Sequence, residues 1–107
     1  MKTEQRTILP ILILLLSAWG YGAHAADYFV NDASTNGDVY CHARGYDTNS
    51  GTSADYPMLT ITNLLAQKDL EPGDTVWIDT GVYSGYTVTI SSNDSGSSLG
   101  YVYFIGS

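Results

Sequence analysis

The amino-acid sequence predicts an all-β fold of the solenoid kind, in which short strands recur at a regular spacing along the chain. Four short runs of β-branched and aromatic residues alternate with segments rich in Gly, Ser, Asn and Asp, which form turns. The centres of the runs at 75–79 and 101–105 lie about 26 residues apart, a spacing typical of one solenoid coil. One coil cannot bury its own apolar face, so the sequence favours an incomplete array that needs further coils for stability.

The start of the chain, 1–25, has the parts of a secretory signal peptide. Lys2 and Arg6 form a positive start, an apolar stretch follows at 8–19, and the small residue Ala25 precedes the predicted cleavage site. The apolar stretch is too short for a stable membrane span, which takes about 20 residues. We therefore expect a secreted or extracytoplasmic protein, at the cell surface or in the periplasm.

The remaining residues, 26–107, are predicted to form one small domain. They contain two basic and ten acidic residues, a net charge of −8. This charge argues against nucleic acid and anionic membranes as partners, because both are negative themselves. Cys41 is the single cysteine, so we expect either a buried thiol or a disulfide to residues outside this sequence.

The mature chain opens with a predicted strand at 27–31 and continues with a long polar loop at 32–56. Thr60 has the residue type of a helix N-cap and precedes apolar residues at helical spacing, which predicts a short helix at 61–68. A two-turn helix is not stable alone. Its apolar stripe is therefore expected to cover a core, through Ile61, Leu64 and Leu65.

Three further strands are predicted at 75–79, 86–90 and 101–105, separated by turns rich in Gly and Ser. Alternation gives each strand a candidate inward pair: Val76 and Ile78, Val88 and Ile90, and Val102 and Phe104. In the last strand Tyr103 and Ile105 fit the inward face equally well. That strand is also expected to have an open edge, which predicts self-association of the isolated segment.

Five short motifs occur in an order that resembles the N-terminal end of the pectate-lyase-like, right-handed parallel β-helix proteins. They are Tyr28-Phe29-Val30, Asp47-Thr48-Asn49-Ser50-Gly51-Thr52, Pro57 with Thr60-Ile61, Pro72-Gly73-Asp74-Thr75-Val76, and Gly81-Val82-Tyr83. The resemblance covers nearly the whole mature chain. It implies that 26–107 is the N-terminal capping segment and first coil of such a domain, with the helix as the cap.

The resemblance implies a parent protein that acts on or binds polysaccharide, as a lyase or a glycoside hydrolase. In that family the catalytic residues and calcium ligands lie on later coils, so no catalytic, cofactor-binding or metal residue is assigned here. Whether the parent is an enzyme stays open at this point. The alternatives are a non-catalytic surface or adhesion scaffold and an inactive truncated remnant.

Three groups of residues have chemistry that a site could use. Asp74 and Asp79 flank one strand, and we interpret them as turn residues rather than as a catalytic pair. Residues 47–51 resemble half of a calcium loop, although structural turn chemistry explains the same residues. Aromatic residues are frequent and could stack on sugar rings, although cross-strand packing is the simpler explanation: Tyr28, Tyr40, Tyr46, Tyr56, Trp77, Tyr83, Tyr86, Tyr101 and Tyr103.

Overall fold

Three short parallel strands form a single sheet in the computed structural model, which describes residues 25–107. The strands are β1 (Asp27–Val30), β2 (Thr75–Ile78) and β3 (Tyr103–Gly106), and β2 lies in the middle. The pairing is in register, so that equivalent residues of the three strands form rows across the sheet. The signal peptide predicted for the start of the chain lies outside the described residues, except for Ala25.

One α-helix, α1 (Ile61–Gln67), packs on the inner side of the sheet. The predicted N-cap is confirmed, because the Thr60 hydroxyl accepts a hydrogen bond of 3.1 Å from the backbone N–H of Asn63. The helix ends one residue earlier than predicted, with Lys68 as its C-cap. Leu64 is fully buried, so the prediction that the apolar stripe covers a core is also confirmed.

The core lies between α1 and the inner face of the sheet. Its fully buried centre consists of Val30, Met58, Leu64, Leu70 and Val76. Ile78, Val102 and Phe104 pack against this centre, which confirms two of the predicted inward pairs and settles the orientation of the last strand. Tyr103 and Ile105 therefore lie on the outer face.

The two edges of the sheet differ. The outer edge of β1 is covered by the loop that precedes α1: the Phe29 N–H donates to the Gly51 carbonyl at 2.8 Å, and Met58 and Phe29 pair through a bond of 2.9 Å. No strand of residues 25–107 pairs with the outer edge of β3. Within residues 25–107, the outer edge of β1 is thus covered, and the outer edge of β3 has no partner strand.

The predicted fold class, an all-β N-terminal cap and first coil of a right-handed parallel β-helix, is wrong for the described part of the chain. Within residues 25–107 the structure has one small three-stranded sheet, one α-helix and a short 3₁₀ helix (Ser92–Asp94). A solenoid coil needs strands in more than one sheet, and the segment at 86–90 that would have supplied the second sheet forms no strand.

The missing strand has a physical explanation. Residues 87–90 are exposed, including Val88 and Ile90, and they pair with no strand of the described chain. Their β-branched composition favours a strand only where a neighbouring strand and a core are present to pack against. Gly85, with a φ of +87°, turns the chain away immediately before them. The predicted inward pair of this segment is therefore incorrect.

We expect Gly45→Ala to destabilise the fold by about 3 kcal/mol or more, because overpacking against backbone atoms cannot relax easily. Gly45 is buried, and a Cβ there would collide with the carbonyl oxygen of Asn31 and come within 2.6 Å of that of Met58. Urea unfolding followed by Trp77 fluorescence measures the change. Gly106→Ala is the control, since its Cβ would meet nothing within 4 Å. Equal stabilities of the two variants would contradict the close packing described for Gly45.

Candidate functional site

The outer face of the sheet carries aromatic side chains that the strands position. Because side chains alternate along a strand, the residues that do not face the core project to the opposite side. One row across the sheet consists of Phe29, Trp77 and Ile105, which the register places side by side. The neighbouring row contains Tyr103 beside Thr75.

Tyr40 comes from the long loop and packs on Trp77. The centroids of the two rings are 5.0 Å apart, and the rings are tilted by 57°. The polar group of each ring is hydrogen-bonded. The Tyr40 hydroxyl donates to the Gly106 carbonyl at 3.1 Å, and Trp77 Nε1 donates to Asp27 Oδ1 at 3.0 Å. These bonds link all three strands and hold both rings in fixed orientations.

A second aromatic pair extends the surface along β3. The rings of Tyr101 and Tyr103 are 6.3 Å apart and meet edge to face at 74°. Tyr101 is 71% exposed and Tyr103 is 48% exposed. We call the whole surface the aromatic face; its members are Phe29, Tyr40, Trp77, Tyr101, Tyr103 and Ile105.

The charge of the aromatic face is negative or neutral. Asp27 is exposed and lies at its margin, where it accepts the Trp77 hydrogen bond. The two basic residues of the described chain lie elsewhere: the Arg44 guanidinium lies 5.1 Å above the Tyr46 ring, and Lys68 caps α1. The face therefore has no cation to attract an anionic ligand.

A buried carboxylate holds the loop that carries Tyr40. Asp79 is 2% exposed and accepts four backbone N–H groups at 2.6–2.8 Å, from Val39, Tyr40, Cys41 and Thr80. Burial by itself raises the pKa of this carboxyl, but the four hydrogen bonds together outweigh burial and lower the pKa from 3.8. The prediction that Asp79 is a turn residue was too narrow, because it binds a loop about 40 residues away in the sequence.

Asn31 fixes the other side of the same loop. Its side-chain amide is fully buried and donates to Asp38 Oδ2 at 2.6 Å and to the Ala43 carbonyl at 2.9 Å. Together with Asp79, it attaches residues 38–43 to the ends of β1 and β2. The loop is therefore well anchored although it contains no helix or strand.

Cys41 is a buried thiol. Its Sγ lies 4.0 Å from the Val30 carbonyl, and it forms no disulfide within the described chain. Burial, and then the neighbouring charge of Asp79, raise the pKa of this thiol to about 12. A thiol with such a pKa is protonated at neutral pH and is a poor nucleophile.

The other acidic candidates of the sequence bind backbone. Asp47 Oδ1 accepts the N–H groups of Leu59 and Thr60 at 3.1 and 2.9 Å, which orients the start of α1. Asp74 is 2% exposed and accepts from Ala26 and Glu71, both at 2.8 Å. Within residues 25–107, no three His, Cys, Asp or Glu side chains are grouped as metal ligands.

His42 and Asp55 form an exposed pair, with 2.8 Å between Nδ1 and Oδ1. The side chains are 73% and 64% exposed, so the pair is well solvated. Among the described residues, no cysteine thiol or serine hydroxyl is hydrogen-bonded to the His42 imidazole. An exposed ion pair of this kind contributes little to stability. Because no nucleophilic side chain is hydrogen-bonded to His42, the pair is not a nucleophile activated by a general base.

Two shallow grooves lie outside the aromatic face. One, of about 340 Å³, lies beside the end of α1 and is lined in part by Asp94, which accepts hydrogen bonds from Leu70 and Ser91. The other, of about 370 Å³, is lined in part by Tyr83, whose hydroxyl donates to the Asp79 carbonyl. Asp94 and Tyr83 are thus engaged by the fold itself, whereas the hydroxyl of Tyr86, which also lines the second groove, is buried without a hydrogen-bond partner among the described residues.

Sequence reasoning noted the aromatic residues but did not place them on one surface. The alternation within β2 and β3 contained part of that information. Trp77 pairs with Ile105, and Tyr103 lies two residues before Ile105 on the same, outward side of the sheet. The contribution of Tyr40 had no local signal, because the contact joins residues 37 positions apart. Phe29 and Ile105 were also missed as members of a shared row.

Comparison with protein-family models, with curated proteins and with solved structures found no match to this chain. Within residues 25–107, no helix has the length and apolar character that crossing a membrane requires. The resemblance to pectate-lyase-like proteins stays a prediction.

We expect Asp79→Asn to lower the free energy of unfolding by about 2–4 kcal/mol at pH 6, because a neutral amide has one acceptor oxygen for four donors. The folded-state pKa of Asp79 is below its unfolded value, so its stabilisation is present above about pH 4 and is lost as the pH falls through the folded-state pKa. The difference between wild type and variant should thus shrink between pH 6 and pH 3 in urea titrations. Asp69→Asn, at an exposed position, is the matched control. A pH-independent difference would disprove the charge-assisted role.

We expect Cys41 in the folded chain to react with a thiol reagent at pH 8 about a thousandfold more slowly than a free cysteine, because the reactive thiolate is scarce and buried. The rate is measured spectroscopically with a disulfide reagent that releases a coloured thiol. The same chain in urea is the control and should react fully. A fast reaction under native conditions would show that the thiol is accessible.

Proposed function

We propose that this chain is the exported part of a protein that binds polysaccharide, and that the aromatic face is its binding surface. The observation that carries the proposal is the Tyr40 and Trp77 pair, which is fixed by hydrogen bonds to two different strands. The exposed rings of Tyr103 on β3 and of Tyr101 just before it continue the surface. The predicted signal peptide supports export, and the resemblance to pectate-lyase-like proteins supports a polysaccharide ligand.

The chemistry of the face suits sugar rings. One side of a pyranose ring presents C–H groups, which pack on the electron-rich face of an aromatic ring, while its hydroxyls need hydrogen-bond partners around the edge. Tyr101 and Tyr103 provide exposed rings, and their hydroxyls provide such partners. Asp27 adds a carboxylate that accepts hydrogen bonds from sugar hydroxyls at the margin.

The charge of the chain favours a neutral polysaccharide. A net charge of −8 for residues 26–107 repels a polyanion such as a polyuronate, and Arg44 and Lys68 lie outside the aromatic face. This departs from the acidic substrates that the name of the resembling family suggests. We therefore expect neutral glycans to bind and acidic glycans to bind more weakly.

The face is shallow, so the affinity for one chain should be low. A flat surface leaves much of a ligand in water, and most affinity comes from a few well-packed aromatic contacts. A Kd of about 1 mM, or about −4 kcal/mol, is the scale that we expect for a short oligosaccharide. Polysaccharide binding of useful strength would then rely on several contacts with one polymer.

Catalysis by the parent protein, as a lyase or glycoside hydrolase, is the further part of the proposal. Asp74 and Asp79 are engaged by backbone N–H groups, so neither carboxylate is proposed as a catalytic group. A non-catalytic surface or adhesion scaffold is the second candidate function, and the well-anchored aromatic face is equally suited to it. Self-association through the open edge of β3 belongs to the same proposal.

We expect Trp77 fluorescence to change when a neutral hexasaccharide of β-1,4-linked glucose is titrated into the exported chain, because Trp77 is the single tryptophan of residues 26–107. Tyr103→Ala should raise the Kd by at least about fivefold, since it removes a 48% exposed ring of the face. An oligogalacturonate of the same length should bind more weakly than the neutral ligand.

The matched control is Tyr56→Ala, which removes a tyrosine that is 60% exposed on the long loop and does not belong to the aromatic face. Its Kd should equal that of the wild type. Equal losses in the two tyrosine variants, or binding of the acidic oligosaccharide alone, would contradict the proposal.

A further inference from the structure

Asp74 is a buried carboxylate with few hydrogen-bond partners. Like Asp79, it is 2% exposed. Asp79 accepts four backbone N–H groups. Within the described chain Asp74 accepts two, from Ala26 to Oδ1 and from Glu71 to Oδ2, both at 2.8 Å. A buried charge is costly unless it is paired and well hydrogen-bonded, so the carboxylate of Asp74 has room for a stronger partner.

The surroundings of Asp74 add negative charge. Burial raises the pKa of the Tyr28 hydroxyl, and three neighbouring carboxylates raise it further: Asp74, Glu71 and Asp69. Among the described residues, no basic side chain lies within ion-pair distance of these three. A positive group beside Asp74 would therefore offset negative charge that the fold has gathered without a counter-charge.

The nitrogen bonded to Asp74 is the one at which the signal peptide is predicted to end. Cleavage after Ala25 turns the amide nitrogen of Ala26 into an α-amino group. Most such groups are ammonium ions at neutral pH, because their usual pKa is about 7.7–8.0. The nitrogen is also held in place, since the Ala26 carbonyl accepts a hydrogen bond of 2.9 Å from the Thr75 N–H, next to the ladder of β1 and β2.

We propose that removal of the signal peptide creates an ion pair between the α-amino group of Ala26 and the buried carboxylate of Asp74, which stabilises the mature domain. The signal peptidase hydrolyses one peptide bond with one water molecule. The carbonyl of Ala25 becomes a carboxylate and leaves with the signal peptide, and the nitrogen of Ala26 becomes an ammonium. The proposal rests on the export part of the proposed function and not on its glycan-binding part.

The gain comes from a change of charge at an unchanged position. Before cleavage the nitrogen offers one neutral N–H, and afterwards it offers charged donors. Hydrogen bonds with ionised partners are shorter and about twice as strong as neutral ones. Asp74 is buried before and after cleavage, so its own desolvation cancels in the comparison, and only the half-buried Ala26 nitrogen loses part of its water. The processed chain is therefore more stable than the precursor.

The first test compares the exported chain, which begins at Ala26, with the same chain acetylated at its α-amino group. Acetylation keeps an N–H on this nitrogen and removes its charge, as in the precursor. Both chains carry Lys68→Arg, so that the α-amino group is the single amine to be acetylated. In urea unfolding at about pH 6.5, we expect acetylation to lower the folding equilibrium constant at least fivefold.

The charge partner is identified by repeating the comparison in two variants. In Asp74→Asn, acetylation should change the folding equilibrium constant less than about twofold, because the carboxylate of the pair is gone. Asp69→Asn is the matched control, since Asp69 is an exposed carboxylate of the same neighbourhood that does not bind Ala26. It should respond to acetylation as the wild type does.

A pH profile tests the pair without any Asp74 variant. The carboxylate raises the pKa of the α-amino group in the folded chain, so its stabilisation is fully present below the unfolded value and is lost as the pH rises through the folded-state pKa. The difference between free and acetylated chains should therefore shrink above about pH 8. Burial without the pair would lower that pKa, and the difference would then move in the opposite direction. Four other titratable groups lie nearby and are the same in both chains, so that their effects cancel: Asp27, Tyr28, Asp69 and Glu71.

The outcomes separate this proposal from the proposed function. Intact mass gives the first residue of the exported chain, and any start other than Ala26 would overturn the ion pair; a chain that is not exported would overturn both proposals. A start at Ala26 with no loss of stability on acetylation, or an equal loss in Asp74→Asn, would overturn the ion pair and leave export intact. Failure of the neutral hexasaccharide to bind would overturn the glycan-binding part alone, because the ion pair is measured without a ligand.

Discussion

The carboxylate of Asp79 holds the described part of the chain together. It lies immediately after β2 and accepts the backbone N–H groups of three consecutive loop residues, Val39, Tyr40 and Cys41. A buried charge is tolerated only when its hydrogen-bonding capacity is satisfied, and here four backbone donors replace water. The loop could otherwise not fold against the sheet, because its N–H groups have no strand to pair with. Through this one contact the long polar segment becomes part of the domain, and Tyr40 is carried to the ring of Trp77.

The two faces of the sheet have different roles. The inner face packs on α1 and provides the small core around Val76 and Leu64. The outer face cannot contribute to that core, and its aromatic side chains are instead held by hydrogen bonds at their polar ends, as in Trp77 to Asp27. Rings that are fixed before a ligand arrives lose little conformational freedom on binding, which is an advantage for a surface with few contacts. The same alternation of side chains therefore produces both the stability and the candidate binding surface.

Local features of the fold were predictable from the sequence, and distant ones were not. The Thr60 cap, the helix after it and the inward pair Val76 and Ile78 depend on neighbours a few residues away, and their patterns were clear. The segment at 86–90 has the composition of a strand but no partner, so composition alone misled, and the β-helix prediction failed with it. The roles of Asp79 and Tyr40 depend on contacts across about 40 residues of chain, which no single-sequence pattern encodes. The sequence identified Asp79 as a turn residue, but it did not show which backbone groups its carboxylate binds.

The parallel sheet brings together segments that are made at very different times. Asp27 pairs with Thr75, 48 residues later, and Thr75 pairs in turn with Tyr103. At a synthesis rate of about 5–20 residues per second, β2 is synthesised several seconds after β1, so β1 cannot pair before then. Within residues 25–107 all paired strands are parallel, and parallel strands need a long crossover, so no two of them form a hairpin that could fold earlier. For a chain with a predicted export signal this delay is useful, because the nascent protein has no stable structure to undo before it is transported.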